Sequence, residues 1–268
     1  MKLLVWNVRG LGQPSKKEVK DLTSKHSPAV LARIETKQPE PDLKLIHQVW
    51  GRRPSQWVSL AANGASEGIW IVWNPSDHIL NSSHKGDFSV TILLTSTLDG
   101  LPWKFTAIYG PNSPILRNRL WSELELVASF PHPIWCLGGN FNVIRWSHEQ
   151  NSSTSISQGM REFSDFISQN ELLDIPLQGS RYTWSNHATN PTLSKLDRFL
   201  FSLNWEEHFP RSLAMALPKP ISDHYPILLE TLAVKRGHPS DLNSSDCKRS
   251  PYLTHPILVE LLFFTRLK

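Results

Sequence analysis

The sequence predicts an α/β protein whose core is two packed sheets flanked by helices. Strand-length apolar runs outnumber helical patterns, and several are apolar without alternation, as strands covered on both faces are. Polar residues also recur just past the ends of these runs, where a layered scaffold places its loops.

Residues 2–6, Lys-Leu-Leu-Val-Trp, stop at Asn7 before a Gly-Leu-Gly turn at 10–12 and read as a buried strand. Residues 15–26 are polar with Val19 and Leu22 at helical spacing, and Pro28 ends this helix ahead of a second apolar run at 29–34. Further strands are expected at 57–61 and 68–73, the second carrying Ile69, Trp70, Ile71, Val72 and Trp73 in succession. Segments 88–97 and 102–109 flank Asp99-Gly100, whose glycine supplies the positive φ of a tight hairpin connection. Pro114 opens a helix to about residue 130, with Leu116, Leu120, Leu124 and Val127 on one face. Residues 134–137 form another short buried strand, closed by Gly138-Gly139 and a sharp polar turn at 140–142. Helical spacing resumes over 159–170 through Met160, Phe163 and Ile167, and short strands follow at 182–184, 195–201 and 227–232. The chain shows no internal repeat. Residues 233–268 lose all periodicity and read as a linker-like or disordered tail, so the folded domain is expected to span 1–232.

Composition narrows the function class. With 268 residues, 40% hydrophobic and 19% charged, 11 Trp and 11 Phe, the chain is globular rather than disordered. Two cysteines exclude a disulfide-stapled scaffold. The apolar start is too short for a signal peptide, and the longest apolar run, 257–264, contains Glu260 and falls well below the roughly 20 residues that cross a bilayer. An intracellular protein, nuclear or cytoplasmic and not secreted, is expected, with no membrane association and no obligate protein partner. Of the net charge of +4, the tail from 233 carries six basic and three acidic residues, which leaves the domain at +1. So small an excess permits nucleic-acid binding without arguing for it.

The chemistry-bearing residues stand at strand ends: Asn7, Glu35, Tyr109, Asn140, Asn142, Asp197, Asp223 and His224. Taken singly each is ordinary. Glu35 reads as a solvated strand end, Asn140 and Asn142 as turn residues, Tyr109 as a buried ring with its hydroxyl paired, and His224 as a satisfied histidine near the core. Together they are less ordinary. Glu35 and Asp223 supply hard oxygen ligands of the kind Mg²⁺ accepts, since that ion takes one or two carboxylates and keeps its remaining positions for water and substrate phosphate. A histidine beside a carboxylate, with Asp197 available to hold its ring, offers a general base or a cation facing phosphate, and Asn and Tyr add neutral hydrogen bonds. These parts add up to metal-assisted phosphodiester hydrolysis.

Six motifs in order carry a resemblance: Trp-Asn-Val-Arg-Gly-Leu-Gly at 6–12, Ile-Glu-Thr-Lys at 34–37, Ile-Tyr-Gly-Pro at 108–111, Gly-Gly-Asn-Phe-Asn at 138–142, Lys-Leu-Asp-Arg-Phe-Leu at 195–200 and Ser-Asp-His-Tyr-Pro at 222–226. The chain resembles the endonuclease/exonuclease/phosphatase superfamily, and more narrowly the apurinic-type endonuclease domain of plant LINE-type, non-LTR retrotransposons. Segments 68–73 and 180–185 are similar to that plant group as well. The resemblance implies a four-layered α/β sandwich, two packed mixed sheets between helices, with the active site at one end of the sheets. It implies DNA as partner and Mg²⁺ or Mn²⁺ as cofactor. It places Asn7, Glu35 and Asp223 at the metal, with Glu35 the principal ligand, and Tyr109 and Asn142 at the scissile phosphate. It has Asp197 orienting His224.

Two departures bear on function. Position 140 is normally Asp, the group credited with activating water or protonating the leaving group, and here it is Asn140. An amide accepts no proton at neutral pH, and loss of such a role costs about 100- to 10,000-fold in rate. Arg9 stands where the apurinic endonucleases carry Asp, and it reads equally as a plant-element feature or as a solvated loop cation. The tail matches neither the connecting region nor the reverse transcriptase of the plant elements, so the chain reads as a truncated retroelement fragment. The expected function is therefore a Mg²⁺-dependent DNA endonuclease impaired by Asn140. The alternatives are an inert nucleic-acid-binding remnant and, with less support, a phosphatase on small phosphate esters.

Overall fold

A computed structural model describes residues 1–10, 12–62, 67–152, 155–218 and 222–232. The tail expected at 233–268 lies outside these. In chain order the elements are β1 (Lys2–Asn7), α1 (Gln13–His26), β2 (Val30–Ile34), α2 (Leu43–Trp50), β3 (Gln56–Leu60), β4 (Ile69–Trp73), β5 (His78–Lys85), β6 (Ser89–Ser96), β7 (Pro102–Tyr109), α3 (Pro114–Ala128) and β8 (Trp135–Asn140). They continue with α4 (Gln158–Gln169), β9 (Leu172–Asp174), β10 (Leu177–Gln178), β11 (Trp184–Ser185), β12 (Leu193–Ser194), β13 (Asp197–Ser202), α5 (Leu203–His208), β14 (Arg211–Ala216) and β15 (Ile227–Leu232).

Among the described residues the strands make a seven-stranded mixed sheet ordered β10-β14-β15-β1-β2-β4-β3, a six-stranded mixed sheet ordered β5-β6-β7-β8-β13-β9, and the small β11-β12 hairpin. Alternation along each central strand explains why the apolar runs are unbroken. On β1, Leu3 and Val5 enter the cluster between the sheets while Leu4 and Trp6 face the opposite way, and on β4 Ile71 and Trp73 face inward while Trp70 and Val72 face outward. The inner cluster joins Val5, Ala32 and Ile71 of one sheet to Ile92, Phe105 and Cys136 of the other. Val19 of α1 and Ile46, Val49 and Trp50 of α2 cover the outer face of the seven-stranded sheet. Leu120 and Leu124 of α3 and Phe163 and Ile167 of α4 cover that of the six-stranded sheet through Leu137 and Leu200. The expected four-layered sandwich is the observed architecture.

The differences from expectation have physical reasons. The strand expected at 134–137 continues through Gly138 and Gly139 to Asn140, because the glycines are ladder members rather than a turn. At Gly139 a Cβ would stand 2.1 Å from the Ile108 carbonyl oxygen, so only glycine permits β7 and β8 to approach this closely. Strand β5, His-Ile-Leu-Asn-Ser-Ser-His-Lys, lacks an apolar signature because it is an edge strand and its largely polar side chains meet water. The expected 99–100 hairpin joins β6 to β7, with Gly100 at φ +71°.

Candidate active site

Two sets of strand ends build one site. In the seven-stranded sheet β1 and β2 run parallel with Asn7 level with Ile34, so Asn7 and the next residue after β2, Glu35, emerge together. Their loops are laced by Val8 N–H to Ile34 O at 3.1 Å and Gly10 N–H to Glu35 O at 2.7 Å. Ser222 ties in the loop before β15: its hydroxyl donates to Asn7 O at 2.9 Å and accepts the His224 N–H at 3.1 Å. In the six-stranded sheet Tyr109, Asn140 and Asp197 occupy one row across β7, β8 and β13. Arg9, Glu35, Lys37 and Asn142 all adopt left-handed φ, between +49° and +54°. Such conformations cost energy in non-glycine residues and cluster at functional sites.

The two sets meet at His224. Its Nδ1 lies 2.7 Å from Asp197 Oδ2, with both residues buried. Thr183 fixes the carboxylate's backbone, its hydroxyl accepting the N–H groups of Leu196 and Asp197 at 2.9 Å each. Burial pulls the His224 pKa down, but the charge of Asp197 and its hydrogen bond, followed by Asp223 and Glu35, outweigh burial and raise it above 6.5. With Nδ1 engaged, Nε2 is the ring atom left for a substrate.

Tyr109 spans the same gap from the other side. Burial first, and then the negative charge of Glu35, push its phenol far above the usual range, so it stays a neutral hydrogen-bonding group. Asn142 donates from Nδ2 to Gly110 O at 2.5 Å, and its backbone N–H donates to Asn140 Oδ1 at 2.8 Å. A backbone N–H can only donate, so Asn140 spends its amide oxygen inside the turn and keeps an N–H₂ group as its other polar end.

The carboxylates are not bare. Glu35 Oε1 lies 3.2 Å from Lys37 Nζ. Asp223 Oδ2 accepts from Arg9 Nη1 at 2.6 Å and from Trp184 Nε1 at 2.9 Å. Asn7 Oδ1 accepts the Arg9 N–H at 3.1 Å, leaving buried Nδ2 without a partner among the described residues. Among the described residues no group of three His, Cys, Asp or Glu converges as a metal cage. The donor set still fits one Mg²⁺ or Mn²⁺ ion, which needs only one or two carboxylates beside water and phosphate. Glu35 and Asp223 are the carboxylates suited to it, each now paired with a cation, Lys37 and Arg9 respectively.

All eight residues expected from sequence thus stand at one end of the sandwich, as do four that sequence reasoning did not assign to the site: Lys37, Thr183, Trp184 and Ser222. A signal existed for all four: Thr183 and Trp184 lie in the 180–185 segment singled out in the sequence, Lys37 lies in the Ile-Glu-Thr-Lys motif, and Ser222 opens the Ser-Asp-His-Tyr-Pro motif. Behind Asp197, fully buried Arg198 bonds Glu149 at 2.8 Å and Asp174 at 2.7 Å, anchoring the start of β13.

The family described as Endonuclease/Exonuclease/phosphatase family matches residues 4–224. Among curated proteins no sequence match is found. Similar solved structures include a variant of the 3′ phosphatase NExo from Neisseria bound to a product DNA hairpin, with TM-score 0.67, 19% identity and coverage of 86% of this chain and 99% of that one. The endonuclease domain of TRAS1, a telomere-specific non-LTR retrotransposon, aligns with TM-score 0.66 and 12% identity over 86% of this chain and 97% of that one. The AP endonuclease LMAP from Leishmania major gives TM-score 0.64 and 15% identity over 85% of this chain and 86% of that one.

Proposed function

The chain belongs to the endonuclease/exonuclease/phosphatase family, and on that premise we propose that it is a Mg²⁺- or Mn²⁺-dependent phosphodiesterase that nicks DNA. We read it as an endonuclease domain of plant LINE-type retrotransposon origin, slowed in this copy by Asn140 and acting inside the cell. The observation that carries this reading is the buried His224–Asp197 pair, which joins the ends of both sheets beside Glu35 and Tyr109. His224 presents Nε2, with a proton favoured by Asp197, to a phosphate oxygen. Tyr109 and Asn142 offer neutral hydrogen bonds to the same group. Glu35 would hold the ion, which when bound supplies charge stabilisation at the phosphoryl group.

Asn140 favours a second reading, a DNA-binding remnant without hydrolysis, because its amide oxygen is committed to Asn142 and its nitrogen takes up no proton at neutral pH. Supercoiled-plasmid nicking separates the two. The natural protein with Mg²⁺ should nick slowly and Asn140→Asp should raise the rate by about 100- to 10,000-fold. An inert Asn140→Asp variant that still binds DNA would establish the remnant instead.

A further inference from the structure

At the mouth of the site the cations lie outside and the anions inside. The side chains of Arg9 and Lys37 are 61% and 49% exposed, whereas their partners Asp223 and Glu35 are only 6% and 9% exposed. The two cations stand on neighbouring loops: a Cβ on Gly10 would lie 3.8 Å from Lys37 Cδ. Both loops are held in left-handed backbone at Arg9 and Lys37 and bonded to each other through Gly10 N–H and Glu35 O. The placement is therefore built rather than the chance lie of two long side chains.

Asp223 also acts as an anchor. Its Oδ2 accepts Arg9 Nη1 together with Trp184 Nε1, which aims the guanidinium while leaving other N–H donors of its planar fork for a second acceptor. Guanidinium and ammonium share one complementary ligand, an oxyanion.

Resting on the phosphodiesterase reading, we propose that Arg9 and Lys37 form a direct phosphate clamp that holds a DNA phosphodiester without a bridging divalent ion. Arg9 is then a substrate-binding residue, and Asp223 serves it as a positioning residue.

The test is binding of a short fluorescent DNA duplex to the full-length protein at fixed low salt, with EDTA or with Mg²⁺. The natural protein should bind in EDTA. Arg9→Ala and Lys37→Ala should each weaken that binding about tenfold and make the dependence of log K on log salt shallower by about 0.9 per lost phosphate contact. Exposed Arg161 on α4 serves as the control, and Arg161→Ala should change neither quantity. Asp223→Asn, which leaves Arg9 charged but no longer aimed, should weaken binding by less than Arg9→Ala does, and thermal melting confirms that each variant folds. Equal loss in all three arginine and lysine variants, or no loss in Arg9→Ala and Lys37→Ala, overturns the clamp. Binding that appears only with Mg²⁺ overturns it too, yet leaves the phosphodiesterase reading standing. No DNA binding under either condition defeats both.

Discussion

His224 and Asp197 come from different sheets, and their 2.7 Å contact between Nδ1 and Oδ2 closes the sandwich at its functional end. Asp197 opens β13 in the six-stranded sheet, while His224 precedes β15 in the seven-stranded one. This contact sets both the tautomer and the charge of the ring.

Asp197→Asn should therefore lower the His224 pKa, because the largest cause raising it is removed while burial remains. An NMR titration of the imidazole should show the natural ring protonating above pH 6.5 and the variant ring below that of the natural protein. Plasmid nicking should fall by about 100- to 10,000-fold alongside. An unchanged titration would mean that the pair does not control the ring.

Asn140→Asp should also change how stability responds to metal. The side chain is only 1% exposed, and a carboxylate there sits uncompensated until a cation approaches. The variant should melt below the natural protein in EDTA and gain more from added Mg²⁺, since a ligand stabilises in proportion to the logarithm of its concentration over Kd. Parallel melting curves for the two proteins at every Mg²⁺ concentration would contradict this.

Arg33 is a defect in the strand that delivers Glu35. It is fully buried under the helices, with Nε, Nη1 and Nη2 all without partners among the described residues and only the Trp70 ring, 5.7 Å away, to face its charge. Burial pulls its pKa down to about 9. Arg33→Leu should raise stability by about 1–4 kcal/mol, as replacing buried charge by packed apolar groups commonly does. Urea denaturation checks this, and a loss of stability would show that the guanidinium is satisfied in solution.

His78 should govern acid sensitivity at the pole opposite the site. Burial pushes its pKa down from 6.5 to about 4, and its ring packs edge-on against Trp103 at 5.2 Å. The unfolded chain takes up a proton as pH falls through 6.5, whereas the folded protein resists until about pH 4. Stability present at neutral pH is thus lost across that interval, by about 3 kcal/mol in total. Melting curves between pH 7 and 4 should show this slope in the natural protein and a shallower one in His78→Phe. Equal slopes would place the acid sensitivity elsewhere.

Most of the layer architecture was legible in the chain. Runs such as Ile69-Trp-Ile-Val-Trp73 can be unbroken only if both faces of the strand are covered, and helical spacing in 114–130 and 159–170 named the residues that cover one side. Edge strand β5 and helix α2 were not legible, the first because water satisfies its polar side chains, the second because eight residues give too little periodicity. The eight site residues were legible as strand ends, by type and by resemblance, but not their pairings. Whether Asp223 faces a metal or Arg9, and whether Asn7 offers its oxygen or its nitrogen, depends on which loops lie side by side. The sequence by itself determined the strands, their buried faces and the inventory of polar ends. Only the tertiary structure decided which ends meet, because pairing across 27 residues between Asp197 and His224, or 214 between Arg9 and Asp223, is set by sheet order and not by any local preference of the chain.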